Sequence, residues 1–147
     1  MESISSTQTK QYVVFKLLSE EYGIDIQKVT TIEQVKPIAR VPKTPKYLTG
    51  VLNLRGEIIP IIDLRTRFNL PETEINEETR IIIIKTEGVS IGLTVDTVVE
   101  VLQLSEESIE NVSGFSKELS QDYILGVGKV DDRIVTLLNI EKLAKLE

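Results

Sequence analysis

The chain is predicted to be mainly β, folded as two small five-stranded barrels with short helices, one of them at the C-terminus. Three observations predict this. Nineteen Ile and 15 Val stand against only 2 Ala; β-branched side chains suit a pleated surface, while Ala is the best helix former. Apolar residues come in alternation, or in short runs between turn signals, which is strand spacing. The chain also repeats itself once, at a near-constant offset.

The elements follow in order. Met1–Lys10 has neither the basic start nor the apolar core of a signal peptide. Residues 1–9 read as a flexible tail, residues 10–147 as one domain of two intimately packed barrel subdomains, and the cytoplasm is the expected location. Tyr12–Leu17 is a strand, broken by Glu20 and Glu21, and Tyr22–Ile26 begins an alternating run. Val29, Ile32 and Val35 sit three apart, so a helical turn competes there with an extended edge. Pro37, Pro42 and Pro45 make residues 37–46 an irregular connection. Gly50–Leu64 is the densest apolar segment and reads as a hairpin. The acidic stretch Leu70–Glu78 reads as an exposed loop, and Ile81–Leu104 as two or three strands. Ser105–Gln121 is polar and reads as irregular, with a helical turn capped by Ser105 as an option. Tyr123–Leu138 is a further strand pair, and Ile140–Glu147 an amphipathic helix with Asn139 as its N-cap.

The repeat defines the architecture. Shifted by 76 positions, Tyr47-Leu48-Thr49-Gly50-Val51 falls on Tyr123-Ile124-Leu125-Gly126-Val127, and Ile61-Ile62-Asp63-Leu64 on Leu137-Leu138-Asn139-Ile140. Shifted by 69, Gly23-Ile24-Asp25-Ile26 falls on Gly92-Leu93-Thr94-Val95, Val29 on Val98 and Ile32 on Val101. The chain thus reads as two copies of a unit of about 70 residues. About five short strands per copy suit an SH3-like barrel, since closure removes exposed edges. Two copies suggest paired barrels with a groove where they meet.

Duplication separates what the fold demands from what it does not. Tyr47 and Tyr123, Gly50 and Gly126, and the helix caps Asp63 and Asn139 occur in both copies and read as structural. The tip at Arg55 and Gly56 is matched by Asp131 and Asp132. The fold therefore does not require the charge of Arg55, and an Arg on a hairpin tip is a candidate interface anchor.

Composition narrows the chemistry. Seventeen Lys and Arg against 23 Asp and Glu give a net charge of −6, which disfavours nucleic acid or an anionic leaflet as the main partner. No Cys and no His occur. That removes disulfides, thiolate nucleophiles, Cys-bearing zinc sites and the commonest general base. No apolar run approaches the length of a spanning helix. Gly126-Val127-Gly128-Lys129 is the nearest approach to a phosphate loop and lacks both the first Gly and the Ser or Thr after the Lys. No catalytic residue, cofactor or metal is expected. A small enzyme working with carboxylates alone is the rival class and would need a pocket of convergent acids.

Gly50-Val51-Leu52-Asn53-Leu54-Arg55-Gly56-Glu57-Ile58-Ile59-Pro60-Ile61-Ile62-Asp63-Leu64 closely resembles the central signature of the CheW family, the bacterial chemotaxis coupling proteins. Glu21–Val29, with Tyr22-Gly23-Ile24-Asp25-Ile26, is similar to the family's earlier stretch, and Ile38–Pro42 with Pro45 to its proline-bearing link. The resemblance covers about residues 10–147. It implies two SH3-like five-stranded subdomains and a non-enzymatic adaptor. Such an adaptor joins the cytoplasmic tips of transmembrane chemoreceptors to the regulatory domain of the chemotaxis histidine kinase, with the receptor tip in an apolar groove between the subdomains. The alternative is a regulatory module of the same fold within a larger sensory kinase or a receiver-fused coupling protein. By the resemblance, the partner-binding positions are Val29, Thr31, Gly50 and Arg55. Ile32 joins them because it lies in the same stretch, against a competing reading as a barrel-core residue matched by Val101.

Overall fold

The structure, a computed structural model, describes residues 8–111 and 123–144. Among these, five strands form one sheet: β3 (Val29–Gln34), β4 (Leu48–Leu54), β5 (Glu57–Asp63), β6 (Arg80–Thr86) and β7 (Val89–Val95), in the order β3-β6-β7-β5-β4. The other sheet comprises β1 (Thr9–Leu17), β2 (Glu20–Asp25), β8 (Thr97–Ser105), β9 (Ile109–Glu110), β10 (Ile124–Val130) and β11 (Arg133–Leu138), in the order β8-β1-β2-β11-β10-β9. Two four-residue helices, α1 (Leu64–Arg67) and α2 (Ile140–Leu143), follow β5 and β11.

The duplication appears in the topology, but the copies do not each make their own barrel. Under the offsets of 69 and 76, β1 and β2 correspond to β6 and β7, β3 to β8, and β4–β5 to β10–β11. The two sheet orders are then the same order. Yet the first copy's opening hairpin, β1–β2, lies in the sheet of the second copy's β10–β11, and β6–β7 lies beside β4–β5. The hairpins are exchanged. Both junctions are parallel pairings, Leu137 opposite Gly23 and Ile61 opposite Gly92. Each Gly admits its partner: a Cβ on Gly92 would stand 2.5 Å from the Ile61 side chain, and one on Gly23 would stand 2.9 Å from that of Leu137.

Each sheet bends round onto itself. β8 and β9 are at opposite edges yet are joined by one 3-10 turn, Glu106–Ser108. The other sheet closes through a bridge: Ala39, downstream of edge strand β3, exchanges backbone hydrogen bonds of 2.9 and 2.8 Å with Val51 on edge strand β4. The sixth strand, against the expected five, is the two-residue β9, which pairs with β10 opposite Val127, the counterpart of Val51. The edges of both sheets are thereby covered, as closure requires.

Three apolar clusters hold this together. One lies inside each barrel, around Val14 and Leu137 in one and Leu52, Ile59 and Ile83 in the other. The largest joins the two sheets and takes Phe15, Tyr22 and Ile24 from one, Ile62, Ile82 and Leu93 from the other, with Leu64, Ile140 and Leu143 of the helices. The four residues Ile81–Ile84 are all buried and alternate between a barrel interior and the inter-sheet core. A strand covered on both faces needs such an unbroken apolar run. Full burial of each Ile contributes about 1.5–3 kcal/mol.

Several local expectations change. Glu20 and Glu21 open β2 instead of breaking the chain, because the turn falls at Leu18, with φ of 59°, and Ser19. The Val29–Val35 spacing resolves as extended strand after one 3-10 turn, Ile26–Lys28. Ser105 precedes the 3-10 turn Glu106–Ser108 but makes no side-chain cap bond. Thr9 already pairs with Ser105 in β1, so the strand begins inside the expected tail. The helix caps are as expected: Asp63 accepts from Arg65 N–H at 3.1 Å and Asn139 from Lys142 N–H at 3.3 Å. The expected tail at residues 1–7, most of the polar segment between residues 112 and 122, and the last three residues of the expected C-terminal helix lie outside the described residues.

Candidate partner-binding surface

The five predicted contact residues lie on two edges of one sheet. Val29, Thr31 and Ile32 are on β3, Gly50 is on β4, and Arg55 is in the turn that follows β4. The Ala39–Val51 bridge brings the end of the β3 segment onto β4, so the two edges form one continuous margin of the barrel.

On β3 the register with β6 slips between Val29 and Thr31, leaving Thr30 as a bulge. The same slip occurs between β1 and β8, where Val99, the counterpart of Thr30, is passed over. Bulges re-aim the side chains beside them. Here Val29 packs, half-buried, against the inter-sheet core, and so does its counterpart Val98. Thr31 donates from its hydroxyl to Glu33 at 3.0 Å. Ile32 is 39% exposed and Val101 47%, so neither is a barrel-core residue. The competing reading of Ile32 fails because the β3 and β8 faces that carry these side chains turn to solvent.

Gly50 is buried, not displayed. A Cβ there would lie 2.2 Å from the carbonyl oxygen of Ala39 and 2.7 Å from the Ile38 side chain. Gly126 has the matching role under Glu110, at 2.8 Å. Both glycines let the closing segment cross the strand at backbone distance.

Arg55 and Gly56 have φ of 53° and 88° and form the two-residue loop between β4 and β5. Two positive φ values define a type I′ turn, whose twist matches paired strands. Asn53 steadies it by accepting from Gly56 N–H at 3.0 Å. Asp131, the counterpart of Arg55, has φ of 54°. The turn constrains the backbone and leaves the Arg55 side chain exposed. Beside each tip stands an exposed Ile in matching register, Ile58 at 58% and Ile134 at 62%. Ile58 falls on Ile134 under the 76-residue shift, but the alignment alone does not say that both face solvent.

Sequence reasoning also missed the polar joints where the chain crosses between sheets. At one crossing Arg65 of α1 donates to Asp96 from Nε at 2.8 Å and from Nη2, and Asp96 also accepts from Leu18 N–H at 2.8 Å. At the other, Glu141 of α2 pairs with Lys28 at 2.9 Å and accepts from the Thr86 hydroxyl at 3.2 Å. Arg65 and Glu141 are counterparts, so the two joints have opposite polarity. A third joint is Arg67, whose guanidinium lies 4.6 Å from the ring centres of both Tyr47 and Tyr123 and donates to the Tyr123 hydroxyl. This cation–π sandwich gives the duplicated tyrosines a physical role. Opposite charges at offset 76, and an Arg between two repeated tyrosines, are the sequence signals that could have exposed these joints.

Lys28, more than any other group, holds the Glu141 carboxyl below its ordinary 4.5; hydrogen bonds from its own backbone N–H and from Thr86 help. A carboxyl depressed on folding stabilises above its unfolded value, and that contribution fades as pH falls toward the folded value. Thermal melts should therefore separate wild type from Glu141→Gln at pH 7 and draw together as the pH falls below the ordinary carboxyl value. An equal difference at pH 7 and pH 3 would assign the effect to packing. The two side chains are 39% and 42% exposed, so the difference should be small and should shrink with salt.

Among the described residues no helix is long and apolar enough to cross a membrane. No group of three or more metal-ligating side chains occurs there.

Two self-closing β sheets, related by an internal duplication and joined through a common core, define the paired SH3-like class. The family description "CheW-like domain" matches residues 11–147. The chemotaxis protein CheW of Klebsiella aerogenes is 38% identical over 141 residues, 96% of this chain and 85% of that one. CheW of Bacillus subtilis is 36% identical, over 88% and 83% of the two chains. The crystal structure of the scaffolding protein TtCheW from Thermoanaerobacter tengcongensis matches with a TM-score of 0.85 at 36% identity, covering 90% of each chain. The chain belongs to the CheW-like family.

Proposed function

We propose that this protein is a non-enzymatic chemotaxis adaptor that couples the cytoplasmic tips of chemoreceptors to the chemotaxis histidine kinase. One observation carries the reading. The intact Gly50–Leu64 signature forms the β4–β5 hairpin, whose tip presents an exposed Arg55 that the fold itself does not need. Relatives named as chemotaxis and scaffolding proteins support the same reading. Its place would be the cytoplasm, at membrane receptor arrays.

The mechanism is physical coupling. Val29 and Ile32 supply apolar contact beside the sheet junction, and a helical receptor tip would add its own apolar face there. Arg55 offers a charged, bidentate anchor to the kinase regulatory domain. Receptor binding biases the kinase only by as much as the contact energy differs between the kinase's states. Weak single contacts suffice when many copies are arrayed.

Arg55→Asp is expected to leave the melting temperature within a few degrees of wild type, since Asp131 occupies the matching turn at nearly the same φ. Co-sedimentation with receptor tips and kinase should fall at least about tenfold, the scale of a hot-spot side chain. Kinase activity in the sedimented complex is the functional readout. Normal assembly by a folded variant removes Arg55 from the interface. Failure of the wild-type protein to alter kinase activity in that complex removes the coupling role.

A further inference from the structure

Charge is distributed unevenly over this acidic chain. From residue 34 to residue 56 there is no acid, and Lys36, Arg40, Lys43, Lys46 and Arg55 all fall there. The structure places them along one margin. Because Ala39 pairs antiparallel with Val51, residues 36–40 run beside β4, with Lys36 toward the Arg55 tip and Arg40 toward Gly50. Lys43 and Lys46 follow in the loop that leads into β4. Seven residues of strand make this margin about 20 Å long.

Arg40, Lys43 and Lys46 are exposed and have no side-chain ion pair or hydrogen bond among the described residues. Lys36 has only a 3.8 Å contact with Glu33. The loop surrounds a hollow of about 390 Å³ lined by residues 40–46 with Leu48 and Thr49, a size that accepts several side chains. Pro42 and Pro45 limit its backbone freedom before any partner arrives, which lowers the entropy cost of docking. The fold does not call for these cations. In the other barrel Glu110 takes the bridging place of Ala39; residues 106–111 around it carry three acids and no cation, and Lys46 itself falls on Asp122 under the 76-residue shift.

We infer that the Lys36–Lys46 margin is a docking surface for an acidic segment of a partner polypeptide, whose carboxylates meet Arg40, Lys43 and Lys46. Three exposed cations without a side-chain partner, in a stretch of sequence that holds no acid, call for anions. With a net charge of −6 over the whole chain, an extended anion such as a membrane or a nucleic acid would also face the acidic remainder, whereas a short acidic segment of another protein meets the basic margin alone. The inference rests on the adaptor reading only in taking the ligand to be a protein. It adds that capture is electrostatically steered and that this steering belongs to the barrel containing β4.

The test uses the full chain and a fluorescein-labelled, glutamate-rich amphipathic peptide as probe, with a lysine-for-glutamate peptide as control. Anisotropy should show binding of the acidic peptide alone, weakened at least about tenfold between 50 and 300 mM salt. The triple variant Arg40→Glu, Lys43→Glu, Lys46→Glu should lose that binding at an unchanged melting temperature. Lys85→Glu, an exposed reversal on β6, should keep it. Unchanged binding by the triple variant, equal binding of both peptides, no binding by wild type, or salt-dependent self-association of the wild-type chain in sedimentation would each overturn the inference. The adaptor reading fails separately: wild type that binds the acidic peptide but never alters kinase activity overturns that role alone.

Discussion

Gly50→Asp, at a buried position of edge strand β4, should lower the melting temperature by about 10 °C or more. The reason is the closure of the barrel. The added Cβ would meet the Ala39 carbonyl oxygen at 2.2 Å, a distance real contacts do not reach, and Ile38 Cγ2 at 2.7 Å. Backbone cannot step aside as a side-chain tip can, so the Ala39–Val51 bridge must open. Overpacking costs about 1–3 kcal/mol, and a carboxylate forced against a carbonyl oxygen in a buried site adds to it. A total of about 4 kcal/mol corresponds to about 8–16 °C in a chain of this length. Gly126→Asp should cost less, because its nearest backbone oxygen is at 2.8 Å. Melts of the two variants side by side give the comparison. If Gly50→Asp melts like wild type yet no longer assembles with receptor and kinase, Gly50 is a contact residue in its own right. If it melts early, its effect on binding follows from the displaced Ile38–Arg40 segment.

Asp96→Ala is expected to destabilise by about 3 kcal/mol, through the joint between the sheets. Its carboxylate holds Arg65 by two bonds and Leu18 N–H by a third, and the two side chains are only 20% and 11% exposed. Removing it leaves the Arg65 guanidinium with only the Pro71 carbonyl and orphans a backbone donor, and such orphaning costs more than the pair contributes. The Arg65→Met, Asp96→Ala double variant should recover about 1 kcal/mol or more of the summed losses. Strict additivity in chemical denaturation would show that the two residues do not act together. Hydrogen exchange should quicken first at Leu18, the turn nearest the lost acceptor.

Much of the site was readable in the residues because it repeats. Asp63 and Asn139 announced two helix caps, and Arg55 opposite Asp131 announced a turn whose charge is free to vary. Gly50 was legible as structural but its burial was not, since nothing local states that Ala39 crosses it. Ile32 was ambiguous for a similar reason: a three-residue spacing serves a helical turn, a barrel interior or an outer face, and only the Thr30 bulge decides among them. The Arg65–Asp96 and Lys28–Glu141 pairings were not legible because the partners are 31 and 113 positions apart; the opposite charges of Arg65 and Glu141 at offset 76 marked the positions but not what they pair with.

By itself the sequence determined the strand-rich class, the twofold repeat, the caps, the two matching hairpin tips and the family signature. These are set by local sterics, side-chain spacing and self-similarity, all of which act along the chain. Tertiary structure alone decided which hairpin joins which sheet. Periodicity states which face of a strand is buried, and it is silent on which of two near-equivalent hairpins lies alongside. The exchange is set where the chain crosses between sheets, at Ile26–Lys28 and at Asp96, and is held by the core that both sheets share. The margin that carries the candidate contacts exists only because Ala39 returns to Val51, a pairing across 12 residues that no local rule specifies.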